Sequence, residues 1–521
     1  MRFRPLEKIG KKIDRLNEKQ VEIFTFFIPF IIFALLLANG LNVFDFIYYA
    51  NLLEQSFKNG DLFLPFKAFG AYGGGSGGLS RNFLYIVSSY PFAYVFSNFL
   101  RIDIEFALNI FSTIVTALSV VFIYKTTKLF FDRKTSLISA AIYLFIPFIF
   151  FNGINATTYS LQLLTSSIWI YFLLLAVRTK SQRYGIISSL VFVANAFVSL
   201  SGAPLIVAHI YGLTRIKKKP DWVWLTKNFA ILAIVLLGSF YFSFVNRAYP
   251  TTFDPLKILF LASLFVWESI NGLSVYLAVF VAISAFYLLV RLAKRKADDF
   301  DWIFLLSFGS LLPSLIIFHF IPIANFTPIF AFLPILFVRA FARNRYFKIY
   351  VLLILVFALI KIAPIAYQFH TYPHPHKEYS MWINDIAQGS VILAGHECPW
   401  IQYYTNLTFV CRARDIRAVN ENATSVIVTE EYFKNENQME FDFVAESFKL
   451  PFSGVVHEEL EKFDLIANKT VTKVAGYPSG MRSIEDPYQW LYTVYPRFYE
   501  SVFFNLDFLK PEYAIYSVSL S

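Results

Sequence analysis

Asp45 stands in the part of this chain with the clearest chemical content. The stretch reads Asn42-Val-Phe-Asp45-Phe-Ile-Tyr48-Tyr49-Ala50 and continues through Leu52 and Leu53 to Lys58-Asn59-Gly60-Asp61, just after an apolar run. Tyr48, Tyr49, Leu52 and Leu53 recur at helical spacing. A carboxylate there lies at a membrane–water boundary on an aromatic surface, where it can serve as a general base. The alternative is a helix N-cap, because Asp before an apolar-periodic run is a standard start signal. Glu268, in Trp267-Glu-Ser-Ile-Asn271, and His319, late in an apolar run, are accessory candidates, since ionisable residues at membrane depth are functional candidates by default. Their bland readings are an interface-exposed carboxylate and a buried, hydrogen-bonded histidine. The glycine run from Gly73 to Gly78 is no Walker loop, because no Gly-Lys-Ser/Thr follows; it reads as a lid over a cleft or a plain loop. His374 and His376, one residue apart, suit a metal poorly and read as linker. No metal ligands or cofactor are expected, with a divalent cation left open. Cys398 and Cys411 are too few for a zinc site and are a disulfide candidate in an oxidising space.

The elements that position these residues follow from composition. Of 521 residues 57% are hydrophobic, against about 45–50% for a soluble domain. Charged residues are 16%, and the mean hydropathy is +0.53. This excludes a soluble enzyme and a disordered chain. The formal charge of +10 collects in clusters between apolar runs: Lys125 to Lys134, Arg178 to Arg183, Arg215 to Lys227, Arg291 to Lys296 and Arg339 to Lys348. Such clusters mark cytoplasmic loops, so they are weak evidence for nucleic acid, which is not expected as a partner. An even number of crossings between clusters gives about eleven spans, near 21–41, 104–124, 137–153, 159–177, 184–199, 201–214, 228–246, 274–293, 302–320, 325–341 and 348–367.

The expected architecture is therefore a polytopic α-helical membrane protein with a C-terminal extracytoplasmic α/β domain. Residues 1–20 form a basic amphipathic cytoplasmic segment. Residues 21–367 form the transmembrane domain, with a large outer loop at 42–103. In that loop 82–100 lies in the outer leaflet, and 256–271 lies along the outer interface further on. Residues 368–521 form the outer domain, with β-type runs at Ser390 to Ala394, Leu407 to Val410 and Thr424 to Thr429. The chain is placed in the cell membrane with its N-terminus cytoplasmic.

A first span, then Asp45, an aromatic pair, Ala50 and, about ten residues on, Gly60-Asp61 resembles the start of the GT-C membrane glycosyltransferases. These include the protein O-mannosyltransferases and the aminoarabinose transferases acting on lipid A. Arg81-Asn-Phe-Leu-Tyr85 through Tyr90-Pro91 is similar to that family's Lys/Arg-Pro-Pro-Leu-Tyr segment. Ala107 to Lys134, Pro147 to Asn152, Phe318 to Leu336 and Gly389 to Thr405 resemble later segments in the family's order. The resemblance implies a GT-C-like fold and a polyprenyl- or dolichyl-phosphate-linked sugar donor used at the outer membrane face. An acceptor hydroxyl on a glycan, lipid or protein attacks the anomeric carbon with inversion. Asp45 would take the hydroxyl proton, a role that typically contributes about 10²–10⁴-fold. Arg81, with Lys67 behind it, would neutralise the departing phosphate, and Tyr48 and Tyr49 would be accessory. The competing readings are a non-catalytic paralogue and a polytopic lipid or glycan transporter. Candidate carboxylates gathered at one face favour surface chemistry over alternating access.

Overall fold

The computed structural model describes residues 16–41, 44–62, 64–65, 83–216, 273, 275–317, 326–371, 375–386, 391–393, 398–406, 408–410, 425–429, 464–470 and 512–519. The helices are α1 (Glu18–Leu35), α2 (Phe44–Asn59), α3 (Phe83–Asn98), α4 (Ile104–Lys128), α5 (Arg133–Leu144), α6 (Pro147–Ile154), α7 (Thr158–Thr179), α8 (Gln182–Val198) and α9 (Ile206–Thr214). They continue with α10 (Val275–Ala293), α11 (Asp299–Ile317), α12 (Thr327–Phe330), α13 (Leu333–Phe341), α14 (Phe347–Thr371), α15 (Pro375–Ile386) and α16 (Cys398–Tyr404). The strands are β1 (Val391–Leu393), β2 (Thr408–Val410), β3 (Ser425–Thr429), β4 (Asp464–Thr470) and β5 (Glu512–Ser519). The chain divides into two compact units. One holds residues 1–37, 65–366 and 477–505; the other holds 38–64, 367–476 and 506–521.

In the first unit, α4 is the axis on which α1, α3, α5, α6 and α7 pack. Its buried surface is rich in small and hydroxylated residues, including Ala107, Ser112, Thr113, Thr116, Ala117 and Ser119. Lipid tails are as apolar as leucine, so helices in a membrane associate by close backbone approach, and small residues allow it. Gly153 shows how tight this packing is. A Cβ added there would lie 2.6 Å from the ring of the fully buried Phe33. Gly153→Ala is expected to cost about 1–3 kcal/mol by overpacking. Gly309→Ala, in a helix with nothing within 4 Å, is expected to be neutral or slightly stabilising. Thermal unfolding of the two variants in detergent checks the contrast.

Among the described residues three helices, α4, α7 and α10, are long and apolar enough to cross a membrane, and α5 with α6 makes a fourth if that bent pair is one span. Several expected spans are not single straight helices. The 137–153 run bends by 70° between α5 and α6. Pro147 lacks an N–H and holds Ile146 extended, at ψ 121°. The 201–214 run begins as a 3₁₀ turn, Leu200–Leu205, containing Pro204, and becomes α9 only at Ile206. The 325–341 run is broken into α12 and α13, each with a proline in its first turn. The first span ends at Leu35 rather than Leu41. Helix α3 covers the apolar 82–100 stretch, and its Tyr85 and Phe92 meet Phe111 of α4. The expected span at 228–246, the segments 1–15 and 256–271 and the glycine run lie outside the described residues.

In the second unit, α2 and α15 pack on α16. The sheet order is β2-β1-β3-β5-β4. β1 is parallel to both β2 and β3, while β5 is antiparallel to β3 and β4. The β-type runs read from the sequence hold β1, β2 and β3. Asn39 N–H donates to the Phe369 carbonyl at 2.7 Å, so the 38–64 stretch is stitched to the end of α14. That stretch therefore groups with residues 367–476 rather than with the helical unit.

Candidate active site

Helix α2 carries the candidate base. Its first helical residue is Phe44, so Asp45 is the second residue of the helix rather than the residue that caps it. Negative charge in a first turn is favoured by the helix dipole. Helical geometry puts position 45 on one stripe with 49, 52, 53 and 56. Tyr49, Leu52, Leu53 and Ser56 on that stripe are all buried. Position 45 is thus one helical turn before the buried Tyr49. The side chains of Asp45 and Tyr48 lie outside the described residues.

The rest of α2 is fixed by local chemistry. The chain leaves the helix at Gly60, whose φ of +69° an L-residue adopts only with strain. The Ser56 hydroxyl donates to the Asp61 carbonyl at 2.7 Å. The Gly60-Asp61 pair thus has a helix-stopping role. Asn51, also buried, accepts from Gln55 Nε2 at 3.2 Å, while its own Nδ2 has no hydrogen-bond partner among the described residues. Sequence reasoning did not single out Asn51; its signal is an amide inside the run Tyr49-Ala-Asn-Leu-Leu53.

Lys67, Arg81, Glu268, His319, His374 and Cys411 lie outside the described residues, while His376 is the second residue of α15, in a helix rather than a linker, with its side chain outside them. Cys398 is the first residue of α16, and its side chain is likewise outside them. Among the described residues no group of three His, Cys, Asp or Glu stands ready to hold a metal ion.

Two buried polar systems in the helical unit were not singled out from the sequence. In the first, α4 meets the 152–157 connection. Thr113 donates to the Gly153 carbonyl at 2.7 Å, and Asn109 Oδ1 accepts from Ala156 N at 2.7 Å. Thr157 donates to Asn152 Oδ1, and Asn152 Nδ2 to the Phe148 carbonyl at 2.6 Å. The signal was present: Asn109, Ser112, Thr113 and Thr116 recur at three- and four-residue spacing in an otherwise apolar helix. In the second, Trp169 Nε1 donates to His209 Nδ1 at 3.0 Å. That leaves the imidazole proton on Nε2, 3.0 Å from Ser189 Oγ, which itself donates to the Gly185 carbonyl. His209 is fully buried and satisfied, so it ties α7, α8 and α9 together.

The basic clusters are joined to one another. Lys180 Nζ donates to the Arg215 carbonyl at 2.7 Å, and Arg215 pairs with Asp299 at 2.7 Å. Arg339 pairs with Asp298 at 2.5 Å and covers the rings of Phe300 and Phe130. Arg133 pairs with Glu18 at 3.1 Å, and Lys125 with Glu22 at 3.0 Å. The ends of α4, α7, α9, α10 and α13 and the starts of α1, α5, α8 and α11 thus gather at one end of the helical unit.

Two carboxyls in this network are held below their ordinary values. The Tyr124 hydroxyl donates to Glu18 at 2.5 Å and lowers it; burial opposes this, and Arg133 and Lys128 add to the lowering. Burial pushes Asp298 up, but the hydrogen bond and charge of Arg339 outweigh it. A carboxyl lowered in the folded state stabilises fully above its unfolded value, 4.5 for Glu18, and that stabilisation is lost as pH falls through the lowered value. The melting temperature is expected to be flat from about pH 7 to 5 in this respect and to fall below that. Glu18→Gln should flatten the acid limb, and an unchanged limb would remove Glu18 from the account.

Residues 90–246 match the family model for dolichyl-phosphate-mannose-protein mannosyltransferases. No curated protein matches the chain. The crystal structure of the Archaeoglobus fulgidus oligosaccharyltransferase in complex with Zn and sulfate is similar in fold, with a TM-score of 0.51 at 13% identity, over 94% of this chain and 88% of that one. Its apo form aligns with a TM-score of 0.47 at 13% identity, over 81% of this chain and 68% of that one.

Proposed function

We propose that this chain is a membrane glycosyltransferase of GT-C type that moves a sugar from a polyprenyl- or dolichyl-phosphate donor to a hydroxyl acceptor at the outer membrane face. The observation that supports this reading is the match of residues 90–246, the part of the chain built around α4, to a family named for a dolichyl-phosphate-mannose donor. The acceptor is a glycan, a lipid or a protein.

The step is an inverting displacement. The acceptor oxygen forms the bond to the anomeric carbon as the bond from that carbon to the donor phosphate breaks. The hydroxyl proton passes to the Asp45 carboxylate, and the lipid phosphate departs with the electron pair. The place of Asp45 in the first turn of α2, just after the first apolar helix, supports this role. Arg81 and Lys67 neutralise the departing phosphate. Tyr48, Glu268 and His319 are accessory. Tyr49, being fully buried, acts by holding α2 in place.

Residues 1–20 lie on the cytoplasmic surface, 21–367 form the membrane domain and 368–521 the outer domain, joined there by the 38–64 stretch. The gathering of basic clusters at one end of the helical unit supports a cytoplasmic assignment for that end.

The bond chemistry is tested by the anomeric configuration of donor and product, read by NMR, and by the lipid released. Inversion with release of polyprenyl phosphate is expected. Retention would contradict the single displacement. Transfer of an oligosaccharide in place of a single sugar would move the substrate class to that named for the Archaeoglobus fulgidus oligosaccharyltransferase.

A further inference from the structure

Asn406-Leu-Thr408 has the pattern of an acceptor for an N-linked glycan, in which the hydroxyl at the third position is required. Such triplets occur by chance, so the fold has to choose among them. At Asn155-Ala-Thr157 the asparagine is fully buried, and the Thr157 hydroxyl donates to Asn152 Oδ1. At Asn325-Phe-Thr327 the threonine is fully buried. A glycan is bulky and hydrated and fits neither place. Asn422-Ala-Thr424 lies outside the described residues.

Asn406 is placed differently. Helix α16 ends at Tyr404, and the next residue closes it: the Thr405 N–H and hydroxyl both donate to the Ile401 carbonyl, at 3.1 and 2.7 Å. Asn406 follows, past the helix and before β2 begins at Thr408. Its side chain is exposed, and among the described residues it enters no hydrogen bond. Its amide is therefore open to modification in a surface connection, where acceptor asparagines belong. The neighbouring strand is the second observation. β2 is an end strand, paired with β1 alone among the described strands. An open edge offers its backbone groups to other chains, and a glycan two residues before β2 would screen that edge. The other end strand, β4, holds the remaining triplet, Asn468-Lys-Thr470, which is already in register with Glu512 to Ala514 of β5.

We infer that Asn406 is an N-glycosylation site, which takes an oligosaccharide from a lipid-phosphate-linked donor through a separate asparagine-directed transferase of the same membrane. The bond from Asn406 Nδ2 to the anomeric carbon forms as the bond from that carbon to the donor phosphate breaks. The phosphate departs with the electron pair, and Nδ2 gives up one of its protons. This rests on the outer placement of residues 368–521 proposed above and not on the chain's own transfer chemistry.

The test uses the full-length protein purified from its native membrane, with an epitope tag placed after Ser521. Peptides that contain Asn406 are read by mass spectrometry for sugar-bearing forms, and the intact protein by gel mobility. The wild type is expected to carry a glycan at Asn406. Asn406→Gln and Thr408→Ala should each lose it and run faster, while Thr408→Ser keeps it. Asn406→Gln removes no contact of the fold, so its melting temperature should stay that of the wild type. Asn406 found bare, or a glycan at Asn468 with none at Asn406, overturns the inference. Antibody binding to the tag on intact cells tells the two readings apart. A reachable tag with Asn406 bare defeats this inference and leaves the outer placement standing. A tag reached only in opened cells defeats both. A glycan at Asn406 on a protein that transfers no sugar from any donor leaves this inference standing and removes the transferase reading.

Discussion

Replacing Asp45 with asparagine is expected to lower kcat by about 10²–10⁴-fold while leaving the melting temperature and donor KM nearly unchanged. Asparagine keeps the size and hydrogen-bonding reach of the side chain but cannot accept the acceptor's proton. Its effect should therefore appear in the chemical step. A helix-dipole role alone would behave differently. Loss of a first-turn carboxylate costs about 0.3–1 kcal/mol of stability and leaves turnover of the folded enzyme intact. Asp45→Glu keeps the base but lengthens it, and is expected to retain part of the activity. Tyr49→Ala should act through stability, because it removes a fully buried ring from the inward stripe of α2. Large aromatic truncations of that kind cost about 3–5 kcal/mol. Turnover scaled to folded protein separates the two variants.

Arg339→Ala is expected to destabilise the helical unit by about 1–3 kcal/mol. Arg339 pairs with Asp301 at 3.1 Å and Asp298 at 2.5 Å. Its own side chain is 11% exposed and that of Asp301 is 1% exposed. The guanidinium also lies 4.8 Å from the centroid of Phe300. Removal would leave Asp301 with Arg291 at 2.9 Å and take away a charge at buried depth. Because Arg291 stays beside Asp301, the penalty is the loss of the charge-assisted hydrogen bonds and of the ring contacts of Arg339. Arg345→Ala, an exposed cation on the neighbouring turn, is expected to change stability by no more than about 0.5 kcal/mol. A double-mutant cycle with Asp301→Asn should show strong coupling. Additive effects would mean that the pair is not acting as a unit.

The helical fold was legible where apolar length and charge spacing dominate. The expected spans at 104–124, 159–177 and 274–293 fall on α4, α7 and α10, and the basic clusters that bound them meet at one end. Breaks were less legible. Pro147, Pro204, Pro328 and Pro334 each lie inside an apolar run whose mean hydropathy hides them, and each coincides with a bend or a change of helix type. The acidic partners were also overlooked. Counting Lys and Arg locates loops, but it says nothing of Asp298, Asp299 and Asp301, which hold those loops together.

For the candidate site, residue type and order marked Asp45, and helical periodicity set the stripe it shares with Tyr49. The grouping of 38–64 with the second unit was not legible, because the hydrogen bond from Asn39 to Phe369 joins backbone atoms 330 positions apart.

The most direct measurement is transfer itself. Purified protein in liposomes is given labelled polyprenyl-phosphate sugars and an extract of native membrane lipid and protein, and label in the acceptor fraction is followed with time. The account predicts transfer by the wild type that requires the lipid-phosphate donor and disappears in Asp45→Asn. Equal transfer by both would remove Asp45 from the chemistry. No transfer by folded wild type from any donor in the panel would contradict the account and favour a non-catalytic or transporting role.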